Sequence, residues 1–163
     1  MLGLTGRNRE DVQILASNEM KSKREDSSVL EEVRIVWDMT IGNEGLFEDR
    51  LGLIRQTADV VRKKGMTPRF VIVMHGPATK FAASSLKGTK FDNEKIARMT
   101  VIQEIMFQMN RDEIRFIQCQ VPMNRNNVSE DRVLPFIHVS ETIFFDLAVL
   151  QKEGYAYIPI AEM

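Results

Sequence analysis

Residues 114–119 have the sequence Ile-Arg-Phe-Ile-Gln-Cys, and a polar stretch, Gln-Val-Pro-Met-Asn, follows at positions 120–124. The first stretch is apolar enough to predict a β-strand, and the second is typical of a helix start. Cys119 is the only cysteine in the sequence, and it stands where the two stretches meet. If the strand belongs to an α/β sheet, the thiol lies at its carboxyl end, where α/β folds place ligands and chemistry.

Four more apolar stretches have the same character, and helical patterns separate them. The five predicted strands lie at residues 33–37, 70–74, 114–118, 135–139 and 155–158. Apolar residues recur at steps of three and four across residues 47–61 and 96–109, which predicts two amphipathic helices. We expect Asp92 to cap the second of these helices, and Ser140 to cap a third helix before the last strand.

Apolar strands that alternate with helices predict a parallel sheet with helices on both faces. Together with right-handed crossovers, this pattern favours a three-layer, flavodoxin-like α/β domain with a five-stranded, mainly parallel sheet. In the common strand order 2-1-3-4-5, the loop at residues 40–45 and the Cys119 turn would flank one crevice. That crevice is the predicted site, and Trp37 and Asp38 are further candidates to line it.

The composition is that of one globular domain with nearly balanced charge. The chain has 163 residues, of which 44% are hydrophobic and 28% charged, and its 22 basic and 23 acidic residues give a net charge of −1. Such a chain can bury a core, and it has no overall positive field that would attract nucleic acid or a membrane surface. Its longest apolar runs are too short to span a bilayer.

Residues 1–32 are predicted to form a polar N-terminal arm, partly disordered or loosely docked, ahead of a domain at residues 33–163. Charged residues and serines dominate positions 21–28 of this arm. The arm lacks the apolar stretch of a secretory signal, so we expect a cytoplasmic location, or a periplasmic one if a signal peptide has been removed.

Cys119 is the candidate catalytic residue. Backbone N–H groups at a helix start carry partial positive charge and favour the thiolate, which is the nucleophilic form of cysteine. The amides of Gln120, Val121 and Met123 are expected to supply this charge, and Arg125 is the nearest cation along the chain. The remaining candidate binding residues, all at or just beyond the ends of predicted strands, are Thr40, Asn43, His75, Gly76 and His138. Two separated histidines without a grouped third ligand predict no metal site.

Three short motifs, taken in order, carry a family resemblance. They are the His-Gly-Pro turn at residues 75–77, Cys119 followed by the helix-like segment with Pro122 and Met123, and the closing run at residues 150–158. Together they resemble the DsrE/DsrF-like family of small sulfur-relay proteins, which includes YchN-like and TusD-like members. The specificity lies in the ordered combination, because each motif alone is short.

This resemblance covers residues 33–158 and implies several properties. It implies flavodoxin-like subunits that assemble as a homotrimer or homohexamer. It also implies that Cys119 accepts sulfane sulfur from a donor protein as a persulfide and passes it to an acceptor protein, as a possible sulfurtransferase without a bound cofactor.

Three classes of function remain open on the sequence. The first is the sulfur carrier that uses Cys119. The second is a non-catalytic oligomeric binding or assembly module of the same fold, in which the cysteine is inert. The third is a small hydrolase in which His138, expected on the strand beside Cys119, acts as a base.

Overall fold

The computed structural model describes residues 31–162. Its strands are β1 (Glu32–Met39), β2 (Thr67–Met74), β3 (Arg115–Cys119), β4 (Ile137–Ser140) and β5 (Ala156–Ile160). Its α-helices are α1 (Glu44–Lys63), α2 (Met99–Arg111), α3 (Gln120–Arg125) and α4 (Ile143–Lys152), and 3₁₀ helices lie at Gly76–Ala82 and Glu130–Arg132. The arm predicted for residues 1–32 lies outside the described residues apart from Glu31 and Glu32, so it stays a prediction.

The five strands form one parallel sheet in the order β4-β3-β2-β1-β5. The α/β fold with a parallel five-stranded sheet and helices on both faces is therefore confirmed. The strand order 2-1-3-4-5 is wrong, because β2 lies between β1 and β3. The chain moves stepwise from β1 to β4 in one direction, and then one long crossover returns it past β1 to β5.

Alternate strand residues face two separate cores. The larger core packs under α1 and α2, and the smaller core packs under α4. Strand residues of the larger core include Ile35, Trp37, Met39, Phe70, Ile72, Met74 and Phe116. The smaller core consists of Val36, Val71, Val73, Ile117, Cys119, Ile143, Leu147 and Leu150. The side chain of Cys119 therefore lies on the α4 face of the sheet.

Helix α1 follows its sequence signals closely. Asn43 caps it by accepting a hydrogen bond from the Leu46 amide at 3.0 Å, and Glu44 lies in the first turn beside the positive end of the helix dipole. Beyond its C-terminus the chain turns at Gly65, which has a φ of 75°. Phe47 of this helix is fully buried and stacks on Phe81 with ring centroids 4.1 Å apart.

Two predicted helix caps are wrong. Asp92 caps no helix, because its carboxylate accepts the Gly88 amide at 3.0 Å and closes a turn, so α2 begins only at Met99. Ser140 ends strand β4, and Thr142 caps α4 by accepting the Phe144 amide. No helix within residues 31–162 has the length and apolar character needed to cross a membrane.

Candidate functional site

Cys119 lies where the sequence predicts it, at the carboxyl end of β3 and directly before α3. Its side chain is only 4% exposed and packs among apolar residues, with Ile143 and Leu147 contributed by α4. A cysteine that exchanges sulfur with a partner must be accessible, and Cys119 is buried in this structure. A reagent reaches this sulfur only when α4 or its side chains move.

Two polar residues stand beside Cys119 on the neighbouring strands. On β4 its partner in register is Ser140. On β2 the partner of Gln118 is Met74, so the next residue, His75, stands beside Cys119. Neighbouring strands are about 4.8 Å apart, and residues in register on a parallel pair point to the same face. Cys119 thus has His75 beside it on one neighbouring strand and Ser140 on the other.

His75 belongs to a hydrogen-bonded cluster that joins three strands. Its Nε2 atom lies 2.5 Å from Oδ1 of Asp38, at the end of β1. The hydroxyl of Tyr157, on β5, donates to Oδ2 of the same carboxylate at 2.5 Å. The side chain of Asp38 is 12% exposed and that of His75 is 26% exposed. This Asp38 cluster lies at the carboxyl edge of the sheet, on the face that also holds Cys119.

The cluster perturbs the ionisation of two of its members. Burial opposes the ionised form of Asp38, but hydrogen bonds from His75 and Tyr157, with the charge of His75, outweigh it and lower the pKa of that carboxyl. The hydrogen bond to Asp38, with burial and the negative charge of the carboxylate, raises the pKa of Tyr157 to about 12. At neutral pH, Asp38 is therefore an ionised acceptor and Tyr157 a neutral donor.

The loop between β1 and α1 contacts the turn after β2. A Cβ atom at Gly42 would lie 2.5 Å from Cβ of Pro77 and 3.3 Å from Nζ of Lys80. Only glycine therefore fits here without a shift of the turn that follows His75. The expectation that this loop and the Cys119 turn flank one crevice is wrong, because β2 separates β1 from β3.

A cavity of about 560 Å³ opens beside β4 and the start of α4. Ser140 lines this cavity, and its hydroxyl bonds the carboxylate of Asp146. His138 also lines this cavity, but its partner in register on β3 is Ile117, two residues before Cys119. The side chain of His138 is exposed, so this structure does not form the Cys119 and His138 pair that a hydrolase would use.

The expected stabilisation of Cys119 by helix-start amides is not formed, because Cys119 is the N-cap of α3 but its side chain makes no capping hydrogen bond. The side chains of the other predicted site residues are dispersed. Gln120, the first residue of α3, donates to Glu130 at 2.9 Å, and Val121 and Arg125 are exposed. Met123 is buried in a separate apolar cluster with Phe91 and Val128.

Residues near the ends of β1 and β2 have structural roles. The amide of Thr40 bonds the carbonyl of Ile160, and Asn43 caps α1. Gly76 adopts a φ of 56°, which glycine tolerates best, so its contribution is the sharp turn after His75.

Trp37 and Asp38, both predicted to line one crevice, lie on opposite faces of the sheet. Trp37 borders a cavity of about 530 Å³ between α1 and β5. Within residues 31–162, no three histidine, cysteine, aspartate or glutamate side chains are grouped closely enough to hold a metal ion.

Sequence reasoning missed Tyr157 and Ser140 as site residues. Nothing in their local sequence distinguishes them, because both owe their place to strand pairing. Tyr157 reaches Asp38 only because β5 pairs with β1, and Ser140 flanks Cys119 only because β4 pairs with β3.

Comparison with known proteins supports the fold. The structure is similar to a protein of unknown function, MTH1491, from Methanobacterium thermoautotrophicum, with a TM-score of 0.61, and to the ychN protein from E. coli, with a TM-score of 0.50. Each match is 14% identical in sequence and covers 78% of this chain and 99% of the other. The chain thus shares its α/β fold with these two proteins, in agreement with the fold that the sequence resemblance implied.

Sequence comparison adds one relative of undetermined function. No protein-family model matches the chain. An uncharacterized protein from Aquifex aeolicus (strain VF5) is 28% identical over 130 residues, a match that covers 78% of this chain. The match covers 56% of the relative, so the chain spans about half the length of the curated relative it matches.

Proposed function

We propose that this protein is a DsrE/YchN-like sulfur-relay protein whose acceptor is Cys119. One observation carries the proposal. Cys119 lies at the carboxyl end of β3, an interior strand of the sheet, directly before a helix and near the Asp38 cluster. The shared fold supports a relay role at the level of the family, and the position of the cysteine supports the residue.

The chemistry is a thiol exchange. The Cys119 thiolate attacks the outer sulfur of a donor persulfide, and the bond that forms is Sγ–S. The bond that breaks is the S–S bond of the donor, whose thiolate leaves with the electron pair. No net oxidation occurs, and no cofactor takes part in the exchange.

Burial of Cys119 makes a partner part of this proposal. The helix that covers the thiol, α4, also carries Phe144 and Phe145, which are 75% and 68% exposed. Exposed aromatic side chains of this size are typical of protein contact surfaces. We propose that α4 contacts other copies of this chain in a homotrimer or homohexamer. We also propose that a donor or acceptor protein displaces the cover over Cys119 when it binds to this assembly.

The direct experiment is sulfur uptake. The full-length chain is incubated with glutathione persulfide and its intact mass is measured, with Cys119→Ser as the matched variant. The wild type is expected to gain one sulfur atom that the Cys119→Ser variant lacks and that dithiothreitol removes. Equal modification of both proteins would overturn the proposed function.

A second function, the non-catalytic module, is favoured by the same burial. Cys119 packs like any small apolar core residue. In that case Cys119→Ala would leave assembly unchanged and lower stability only as the truncation of a small core residue does, and the native thiol would resist every persulfide donor.

A further inference from the structure

The hydrogen bonds around Asp38 fix the tautomer of His75. An ionised carboxylate only accepts hydrogen bonds, so Nε2 of His75 carries the proton that it shares with Asp38. The second carboxylate oxygen accepts from Tyr157 and holds the carboxylate in place. In this tautomer Nδ1 has a lone pair, and within residues 31–162 nothing donates a hydrogen bond to it.

The sheet places His75 in register with Cys119. His75 follows Met74, the last residue of β2, in extended backbone with a φ of −154°, so its side chain continues the strand alternation and shares a face with Val73. Val73 packs in the α4 core together with Cys119. His75 and Cys119 therefore stand in register on neighbouring strands of the same face. No hydrogen bond joins their side chains in this structure, so proton transfer requires the two groups to approach each other.

A buried thiol needs such a neighbour. Ionisation to bulk water would leave a bare charge in the apolar cluster under α4, which is costly. A proton acceptor at the border of this cluster removes this need, because it keeps the proton near the thiolate as a compensating imidazolium.

We propose that His75 is the proton acceptor for Cys119 and that Asp38 is its positioning residue, an inference that rests on the proposed sulfur relay. Nδ1 of His75 takes the proton of the Cys119 thiol, and the thiolate then forms the Sγ–S bond with the donor persulfide. The departing donor thiolate takes the proton back from His75 and leaves as a thiol. The imidazole returns to its neutral form, so protons and electrons balance.

The experiment measures the rate at which iodoacetamide alkylates Cys119 in the folded chain at neutral pH. The variants are His75→Ala and Asp38→Asn, and His138→Ala is the matched control because the chain has only two histidines. Amide hydrogen exchange in β3 is measured on the same proteins. Alkylation rates are then compared between variants in which β3 unfolds locally to the same extent.

His75→Ala and Asp38→Asn are expected to slow alkylation at least about tenfold, since a positioned base typically contributes ~10²- to 10⁴-fold. Added imidazole is expected to restore much of the rate in His75→Ala, which loss of a merely structural histidine would not allow. His138→Ala should match the wild type within about twofold. Unchanged alkylation in His75→Ala, or a loss that imidazole does not restore, would overturn the role of His75.

These readouts separate the inference from the proposed function. Alkylation reports the proton acceptor whether or not the protein carries sulfur. If the wild type takes up no sulfane sulfur but its alkylation still depends on His75, the proposed sulfur relay is refuted and the role of His75 as proton acceptor is supported. If His75→Ala does not fold, the alkylation rate of Asp38→Asn alone tests the inference. A rate equal to that of the wild type would contradict it.

Discussion

Replacing Gly42 by alanine adds a methyl group where the β1–α1 loop meets the turn after β2. The new carbon would lie 2.5 Å from Cβ of Pro77, whereas carbon atoms in good contact are 3.5–4.0 Å apart. Either the loop or the turn must therefore move by about 1 Å, and the proline ring has little freedom to yield. Overpacking of this kind typically costs about 1–3 kcal/mol, so we expect Gly42→Ala to lower the free energy of unfolding by that amount.

The same chain supplies a matched control. Gly52 is exposed in the interior of α1, and a Cβ atom there would meet nothing within 4 Å. Alanine in an exposed helix interior is more stable than glycine, so Gly52→Ala should raise the free energy of unfolding by about 0.5–1 kcal/mol. The two glycine-to-alanine changes are thus predicted to have opposite signs.

Urea denaturation followed by circular dichroism measures both effects. For a chain of this size, 1 kcal/mol corresponds to a shift of about 2–4 °C in Tm, which gives an independent check. If Gly42→Ala proved as stable as Gly52→Ala, the close contact between the loop and the turn would not exist in solution. The conclusion that only glycine fits at position 42 without a shift of the turn after His75 would then be wrong.

Three further outcomes are expected. Phe47→Ala should lower the free energy of unfolding by about 3–5 kcal/mol in urea denaturation, because it empties a fully buried site stacked on Phe81; a loss below about 1 kcal/mol would contradict that packing. The pKa of Asp38 is lower in the folded than in the unfolded chain, so its ionised carboxylate stabilises the fold above the unfolded pKa of about 3.9, and this contribution is lost as pH falls through the folded pKa. The difference in unfolding free energy between wild type and Asp38→Asn should therefore become smaller in acid. A difference that does not change with pH would contradict the lowered pKa. Replacing both Phe144 and Phe145 by aspartate should reduce the proposed homotrimer or homohexamer to monomers in analytical ultracentrifugation, and an unchanged sedimentation coefficient would exclude α4 as the interface.

Local periodicity predicted most of the secondary structure, because strand and helix patterns depend on neighbours along the chain. The predicted strands at residues 33–37 and 70–74 lie within β1 and β2. The start of α2 could not be predicted in the same way. Asp92 is a good helix cap by type, but the carboxylate instead closes the turn at Gly88, and nothing local distinguishes these two uses.

The site was less predictable, because it depends on strand order. The position of Cys119 at the end of β3 and directly before α3 is confirmed. Which edge of the sheet β5 joins is not encoded in any local pattern, yet that choice brings Tyr157 to Asp38. Burial of the thiol likewise depends on how α4 packs, which a linear pattern does not specify.

The most direct test of the account is whether Cys119 gains sulfur while the protein is folded. Persulfide formation is followed over time by mass spectrometry of the Cys119 peptide, in native protein and in urea-unfolded protein, with β3 hydrogen exchange recorded in parallel. The account predicts that native Cys119 is modified under conditions where β3 exchange shows no global unfolding. Modification that tracks only the unfolded fraction would show that the cysteine is an inert core residue.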